Sequence, residues 1–313
     1  MPSSARVPYP PLELMSRVFG LQGWGEPHAA YEQMGAETKD ALLRLLPDDW
    51  SFEGKRVLDF GCGSGRTLRH FLREASRGSE FWGADIDGPS IDWLKQALSP
   101  PLHPWKCAPG PPIGLEPCSF DLIWAISVFT HLPRSASFQW LLELHRLLKP
   151  DAYLIATYSG RWNSEFLIGE EWDDDRIGMA VLQQHRTWDE GGPVVLMSDW
   201  WVQAHWGRAF EIVGRLERFH SYTWVLMRKR DVELTPEDLE RPDDDPREHK
   251  ALRENVRLLQ HEVLDHAEQL RRVEATIRGE YENSLSWRLT TPLREAKARL
   301  TPRSSKTERA SQR

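Results

Sequence analysis

An acid followed by three glycines on alternate positions, Asp59-x-Gly61-x-Gly63-x-Gly65, is the stretch of this chain best suited to chemistry. Glycine tolerates positive φ and has no Cβ, so this backbone can turn tightly and let a ligand come close. Lys55 to Phe60 reads as a short buried strand, and Thr67 to Ala75 as a helix with Leu68, Phe71 and Leu72 on one face. The unpaired N–H groups of that helix aim at the turn between them. A second strand, Glu80 to Ala84, leads into Asp85. Asp85 lies about 20 residues beyond Gly65, the spacing expected of an acid that takes a ribose hydroxyl. A plain strand–helix turn is the competing reading of the glycines alone, and the second acid weighs against it. The G-x-G-x-G spacing also departs from the G-x-G-x-x-G dinucleotide fingerprint.

Other residues offer reactive groups. Ligands of parallel sheets bind beyond the carboxyl ends of the strands. His131, just past a fourth strand, therefore borders the hollow as a general base for an oxygen nucleophile, or as a structural histidine. Tyr158, ending a fifth strand, is a second candidate base. Arg66 is placed to pair with a ligand carboxylate, or else to face solvent. Trp188, Trp200, Trp201 and Trp206 could stack on sugar faces, with core packing as the alternative. Asp173 to Asp175 reads better as a solvated loop than as a cation site, and no metal is assigned. Asp87 reads best as the cap of the helix that follows it.

These residues need strands alternating with helices. A helix over Tyr31 to Leu46 precedes the first strand, and Leu12 to Phe19 suits a shorter one. A helix over Ser90 to Leu98 ends at Pro100, Pro101 and Pro104, and Trp105 to Ala108 suits a third strand. Phe120 to Ile126 is an apolar run fit for a strand buried on both faces. Arg134 to Leu148 is a helix, and Tyr153 to Tyr158 a fifth strand. Gly160 to Met197 is irregular, Ser198 caps a further helix, and Phe210 to Arg215 and Ser221 to Arg228 are two final strands. This alternation implies a parallel sheet with right-handed crossovers.

Asp59-x-Gly-x-Gly-x-Gly, then Asp85, then Phe120-Asp121-Leu122-Ile123-Trp124 resembles the signature of class I methyltransferases that use S-adenosylmethionine. The phrase Leu147-Leu148-Lys149-Pro150-Asp151-Ala152-Tyr153-Leu154 is similar to the same family. The resemblance spans Tyr31 to Arg230. It implies an α/β, Rossmann-like, doubly wound sheet of seven strands, mostly parallel, with an antiparallel C-terminal hairpin. It further implies that Asp59, Gly61, Cys62, Gly63, Gly65 and Arg66 hold the methionine end of the cofactor, Asp85 and Ile86 the ribose side, and Ala125 and Ile126 the end of the fourth strand. Where the family contacts adenine after the third strand, this chain has Ala108, Pro109 and Gly110, a departure that leaves apolar and backbone contacts. The insertion from residue 160 to 206 is expected on the substrate side.

Net charge over the 313 residues is −7, which argues against wholesale binding to nucleic acid. Cys62, Cys107 and Cys118 have no metal or disulfide spacing, as expected of a reducing cytoplasm. No signal peptide or membrane span is apparent. Residues 1–26 form an N-terminal extension, 27–230 the main domain and 231–246 an acidic linker. From 247 to 281 a coiled-coil helix is expected. Leu252, Val256, Leu259, Val263, His266, Leu270, Val273 and Ile277 make an a/d seam, and its β-branched a positions lean toward a parallel homodimer. A helix folded back on the main domain is the alternative. The basic tail, 282–313, has Trp287, Leu289 and Leu293 among its arginines and suits an anionic lipid surface. Ser286 to Arg294 also resembles a tail element of bacterial cell-surface polysaccharide enzymes. The expected function is methylation of an oxygen on a sugar or glycan precursor in the cytoplasm, at the inner face of the membrane. The alternatives are an NAD-dependent oxidoreductase and a non-catalytic scaffold.

Overall fold

The computed structural model describes residues 7–16, 26–163, 172–188 and 191–300, with the side chains of 295–300 left out. The described chain forms two units, residues 1–256 and 257–313. The first holds the strands β1 (Arg56–Phe60), β2 (Glu80–Asp85), β3 (Leu102–Lys106), β4 (Phe120–Ala125) and β5 (Leu148–Tyr158), then β6 (Met179–Leu182), β7 (Val194–Met197), β8 (Phe210–Phe219) and β9 (Tyr222–Lys229). Its helices are α1 (Leu12–Ser16), α2 (Pro27–Leu45), α3 (Leu72–Ala75), α4 (Gly88–Ala97), α5 (Arg134–Leu147), α6 (Asp199–His205) and α7 (Pro236–Glu240). A long helix, α8 (Pro246–Asn283), runs into the second unit and is followed by α9 (Leu285–Leu300).

Seven strands make one sheet in the order β3-β2-β1-β4-β5-β9-β8, and β6 and β7 form a separate antiparallel pair. β1 to β5 are parallel, while β9 runs antiparallel to both β5 and β8. The expected doubly wound sheet with its C-terminal hairpin is therefore present. Both faces are covered. Leu58, Phe60, Ile123 and Ala125 belong to one apolar core with α5 and α6, whereas Val57, Leu122 and Trp124 belong to another with α2 and α4. Period-two alternation divides the central strands between these cores. The turn of chain order between β1 and β4 is the switch point at which such sheets bind ligands.

Several expected boundaries move. The third strand is Leu102–Lys106, not Trp105 to Ala108. β3 is an edge strand, so Pro104 lacks no ladder bond that a neighbour needs. Thr67 to Ala75 is a 3-10 turn, Leu68–Phe71, followed by the single turn α3. The fifth strand starts at Leu148, and the final hairpin extends to Phe219 and Lys229. The irregular insertion contains the β6–β7 pair.

The acidic linker is a packed element. Thr235 and Asp238 form a reciprocal capping box on α7, and Leu239 is fully buried. The His205 ring nitrogens face the Leu239 carbonyl at 2.7 Å and Glu248 at 3.1 Å. Glu248 and Ala251 are buried, so the start of α8 belongs to the first unit. Residues 17–19 of the expected first helix and residues 301–313 of the basic tail lie outside the described residues, as do the side chains of Lys297 and Arg299.

Candidate functional site

The glycine turn closes on itself at the carboxyl end of β1. The N–H groups of Gly61 and Cys62 donate to the Ala84 carbonyl at 2.8 and 3.2 Å, and Gly65 N–H donates to the Cys62 carbonyl at 2.9 Å. All three glycines have positive φ, 81°, 51° and 79° in chain order. A Cβ on Gly61 would lie 2.4 Å from Val128 Cγ2, and one on Gly65 2.5 Å from Leu94 Cδ2. A Cβ on Gly63 would meet nothing within 4 Å. Two glycines therefore serve close packing, and the middle one borders open space.

Asp85 organises that space. Its Oδ2 accepts the Gly63 N–H at 2.7 Å, and its Oδ1 accepts the Asp87 N–H at 2.8 Å. The carboxylate has about four lone-pair sites, so it keeps acceptor capacity for a ribose hydroxyl. Asp87 caps α4 by accepting the Ser90 N–H at 3.2 Å, as its position in the sequence implies. Asp59 is buried without an ion pair among the described residues. Burial pushes its carboxyl up to about 7; the Trp124 indole N–H pulls it down, Asp85 pushes it up further, and Arg66 opposes. Arg66 is half-buried and makes no ion pair among the described residues; its Nη1 lies 3.7 Å from Met34 Sδ. Burial lowers its pKa, and Tyr31, Tyr222 and Asp59 oppose that shift. A buried acid and a half-buried cation beside open space fit a ligand that brings an ammonium and a carboxylate.

α2 closes one side. Tyr31 Oη donates to the Ser64 carbonyl at 3.1 Å and lies 3.0 Å from Ser64 Oγ. Burial pushes the phenol up to about 12, so it stays a donor. A Cβ on Gly35 would lie 2.4 Å from the Arg66 carbonyl, which shows how tightly α2 docks on the turn. In the sequence Tyr31 reads only as an apolar helix position, and nothing in the pattern marks its hydroxyl.

The other candidates separate. His131 Nδ1 lies 3.0 Å from the Pro193 carbonyl, which can only accept, so the proton sits on Nδ1 and Nε2 keeps its lone pair. Burial lowers its pKa, which keeps the ring neutral. Tyr158 is corrected as a base: it is fully buried and donates to Asp199 Oδ1 at 2.5 Å. Burial and Asp199 push its phenol well up. Trp201 is corrected as a sugar platform, since it is fully buried and stacked on Phe138 and His205. Trp200 is buried, donates to the Asp174 carbonyl at 2.8 Å and lies under the Arg247 guanidinium. Trp206 is core as well, and Trp188 alone of the four is exposed. Asp174 and Asp175 pair with Arg161 and Lys250, in keeping with the solvated-loop reading. Ala125 is fully buried at the end of β4, and Ile86 and Ile126 pack at the edges of the two cores. Ala108, Pro109 and Gly110 are exposed.

Two carboxylates near the ends of adjacent parallel strands, a glycine turn open at its middle residue, and this strand order are the arrangement that the resemblance to class I methyltransferases leads one to expect. Residues 58–154 match the family model described as a methyltransferase domain. The chain is 32% identical over 120 residues to a tRNA U34 carboxymethyltransferase of Idiomarina loihiensis, covering 36% of this chain and 35% of that one. It is 30% identical over 130 residues to a tRNA N(3)-methylcytidine methyltransferase of Schizosaccharomyces pombe, covering 38% and 41%. The matched part thus spans well under half of these curated relatives. Among solved structures, an S-adenosylmethionine-dependent methyltransferase from Aquifex aeolicus superposes with a TM-score of 0.43 at 18% identity, covering 61% of this chain and 89% of the other. One from Mesorhizobium loti gives 0.48 at 16% identity, covering 62% and 99%.

Proposed function

We propose that this chain transfers the methyl group of S-adenosylmethionine to an oxygen of a sugar or glycan precursor. The observation that carries the donor half is Asp85, which grips the glycine turn at Gly63, where an added Cβ would meet nothing within 4 Å. The acceptor half is supported by the exposed Trp188 on the insertion and by the net charge of −7, which disfavours long phosphate tracks. The second reading, a tRNA base as acceptor, is favoured by the names of the two relatives. Incubating the full chain with methyl-labelled donor and either cell-envelope extract or bulk tRNA separates them. Label in glycan supports the first, and label in tRNA alone replaces it with the second.

S-adenosylmethionine supplies a methyl carbon made electrophilic by its sulfonium. The chain's own residues bind, orient and hold protons. Asp85 would take the ribose hydroxyls; Asp59 and Arg66 would take the ammonium and carboxylate of the methionine end. His131 Nε2 is available to accept the proton of an oxygen nucleophile. Positioning of this kind can supply much of the rate.

Asp59 makes the binding pH-dependent. Its pKa in the ligand-free fold is raised from 3.8 to about 7, so part of it is protonated at neutral pH. A cationic ligand needs the carboxylate, so binding releases a proton. Affinity should rise as pH rises toward 7, by about tenfold per unit, and level off above it. The same shift means that the buried charge destabilises the empty fold increasingly from about pH 4 to 7. Asp59→Asn should therefore raise the melting temperature of the ligand-free protein at pH 8 while weakening cofactor binding. Calorimetric titration from pH 5.5 to 8.5 tests the slope, and a flat profile would refute it.

The seam of α8 is single-sided and exposed: Val263, Leu270 and Ile277 are 66%, 69% and 60% accessible. A second copy of the chain covering these positions as a coiled coil is the partner proposed. Deleting 257–313, and not from 247, should then give a monomer that keeps the fold, because Glu248 and Ala251 remain in place. Sedimentation of the two forms checks this, and an unchanged mass ratio of assembly to chain contradicts it. On α9, Leu285, Leu289 and Leu293 lie one helical turn apart and are exposed. Together with the basic tail they suit an anionic lipid surface. No described helix is long and apolar enough to cross a membrane. Flotation with anionic vesicles but not neutral ones is expected, and no flotation with either sinks the idea.

A further inference from the structure

One arginine at the edge where the parallel strands end carries no counter-charge. β9 runs antiparallel to β5, so the turn between β8 and β9 lies at that edge. Arg218 stands just before the turn and is exposed. Its guanidinium lies over the Trp162 ring, 3.1 Å from the centroid. Trp162 follows the end of β5 by four residues and is 36% exposed. Among the described residues, Arg218 makes no ion pair or hydrogen bond. Its neighbours do: Arg215 meets Asp199 at 2.6 Å, and Arg161 meets Asp174 at 2.7 Å. Net charge is −7, so a shortage of acids does not explain the difference.

The backbone sets this arginine apart. β8 slips register against β9 between Leu216 and Phe219, so Glu217 and Arg218 fall outside the regular ladder. Arg218 has a φ of 60°. A long L side chain is disfavoured there, and glycine, asparagine or aspartate is the usual occupant. A bulge re-aims a side chain and is frequent next to active sites. Here it brings the guanidinium over the indole. Stacking occupies a face of the guanidinium and not its N–H edge, and that edge matches a carboxylate or phosphate bidentately.

The position suits an acceptor better than the donor. Asp59 and Asp85 lie on β1 and β2, and three strand spacings, about 14 Å, separate β1 from β9. The hairpin turn is still within the field of Arg66: burial lowers the His220 pKa, Glu37 opposes that shift, and the Arg66 charge lowers it further.

We infer that Arg218, held by Trp162, binds an anionic substituent of the acceptor, a carboxylate or a phosphate on the sugar. The inference rests on the reading that the chain methylates a sugar or glycan precursor. Arg218 takes no part in the methyl transfer itself; it selects which sugars dock. The exposed remainder of the Trp162 ring gives the sugar an apolar wall beside its anion.

Fluorine NMR of the full chain, with fluorotryptophan at its fifteen tryptophans, tests this. The Trp162 signal is the one that Trp162→Phe removes. The probes are methyl glucuronide, a glucosyl phosphate, neutral methyl glucoside and inorganic sulfate, each added after S-adenosylhomocysteine, the demethylated donor. A sugar anion should shift the Trp162 signal saturably, about three- to tenfold more tightly than the glucoside or sulfate, and the two anionic arms tell carboxylate from phosphate. Arg218→Gln should reduce the anions to the level of the glucoside. Arg218→Lys, which keeps the charge but not the planar fork, should fall between. Sulfate or glucoside binding as tightly as the sugar anions overturns the inference. So does a preference that survives Arg218→Gln, or bulk tRNA shifting the signal where no sugar anion does. Calorimetric titration with S-adenosylhomocysteine, unchanged within about twofold in Arg218→Gln, reports an intact fold. If the unaltered chain fails that titration, the methyltransferase reading fails; loss of the anion preference alone sinks only this inference. The labelling experiment with envelope extract and tRNA decides the sugar reading separately.

Discussion

Replacing Asp85 with alanine should weaken S-adenosylmethionine binding by at least about 100-fold, because hydrogen bonds to a charged group contribute about 1.5–3 kcal/mol each. Two losses combine. The ribose hydroxyls lose their acceptor, and the backbone N–H groups of Gly63 and Asp87 lose theirs, so the turn that faces the ligand is no longer held. Asp85→Asn separates them. Its amide oxygen can still take one N–H group but its nitrogen cannot, so the loss should be intermediate. Calorimetric titration of the three proteins gives the order wild type, asparagine, alanine. An alanine variant within about threefold of wild type would show that the second acid does not face the cofactor.

Replacing Gly65 with valine should unfold the turn instead of merely blocking it. Gly65 has a φ of 79°, and a Cβ there would lie 2.5 Å from Leu94 Cδ2, a fully buried core side chain. Left-handed backbone costs an L-residue about 1–2 kcal/mol, and overpacking adds about 1–3 kcal/mol. The sum, about 2–5 kcal/mol, corresponds to a fall in melting temperature of about 5–20 °C for a domain of this size. Gly63→Ala is the contrast. Its added Cβ meets nothing, so only the backbone cost of about 1–2 kcal/mol applies. That variant should stay folded and lose cofactor binding. Equal thermal stability of the two variants would remove the distinction between a packing glycine and a ligand-facing one.

Much of the fold could be read from the residues because it follows from local rules. Apolar runs such as Phe120 to Ile126, short and bounded by turns, suit strands buried on both faces, and the glycine turn with its two acids marks where β1 and β2 end. What escaped reading depends on contacts far apart in sequence. Tyr31 reaches the glycine turn from 33 positions upstream, and Tyr222 meets Ser127 across 95 positions. No periodicity marks such pairs. The tryptophans misled for a related reason: an aromatic ring on an insertion suits either a sugar or a core, and only tertiary packing shows that Trp201 lies against Phe138. The 231–246 segment looked like a solvated linker by composition. Its capping box, Thr235 with Asp238, was a legible helix signal, but its acidic surroundings outweighed that signal.

The open space beside Gly63 should hold S-adenosylmethionine. Titration of the full-length chain with S-adenosylmethionine, with NAD run in parallel, tests it most directly. The expected result is saturable heat from one site per chain with the sulfonium compound and none with NAD. No heat at millimolar S-adenosylmethionine, or saturation by NAD in its place, would contradict it.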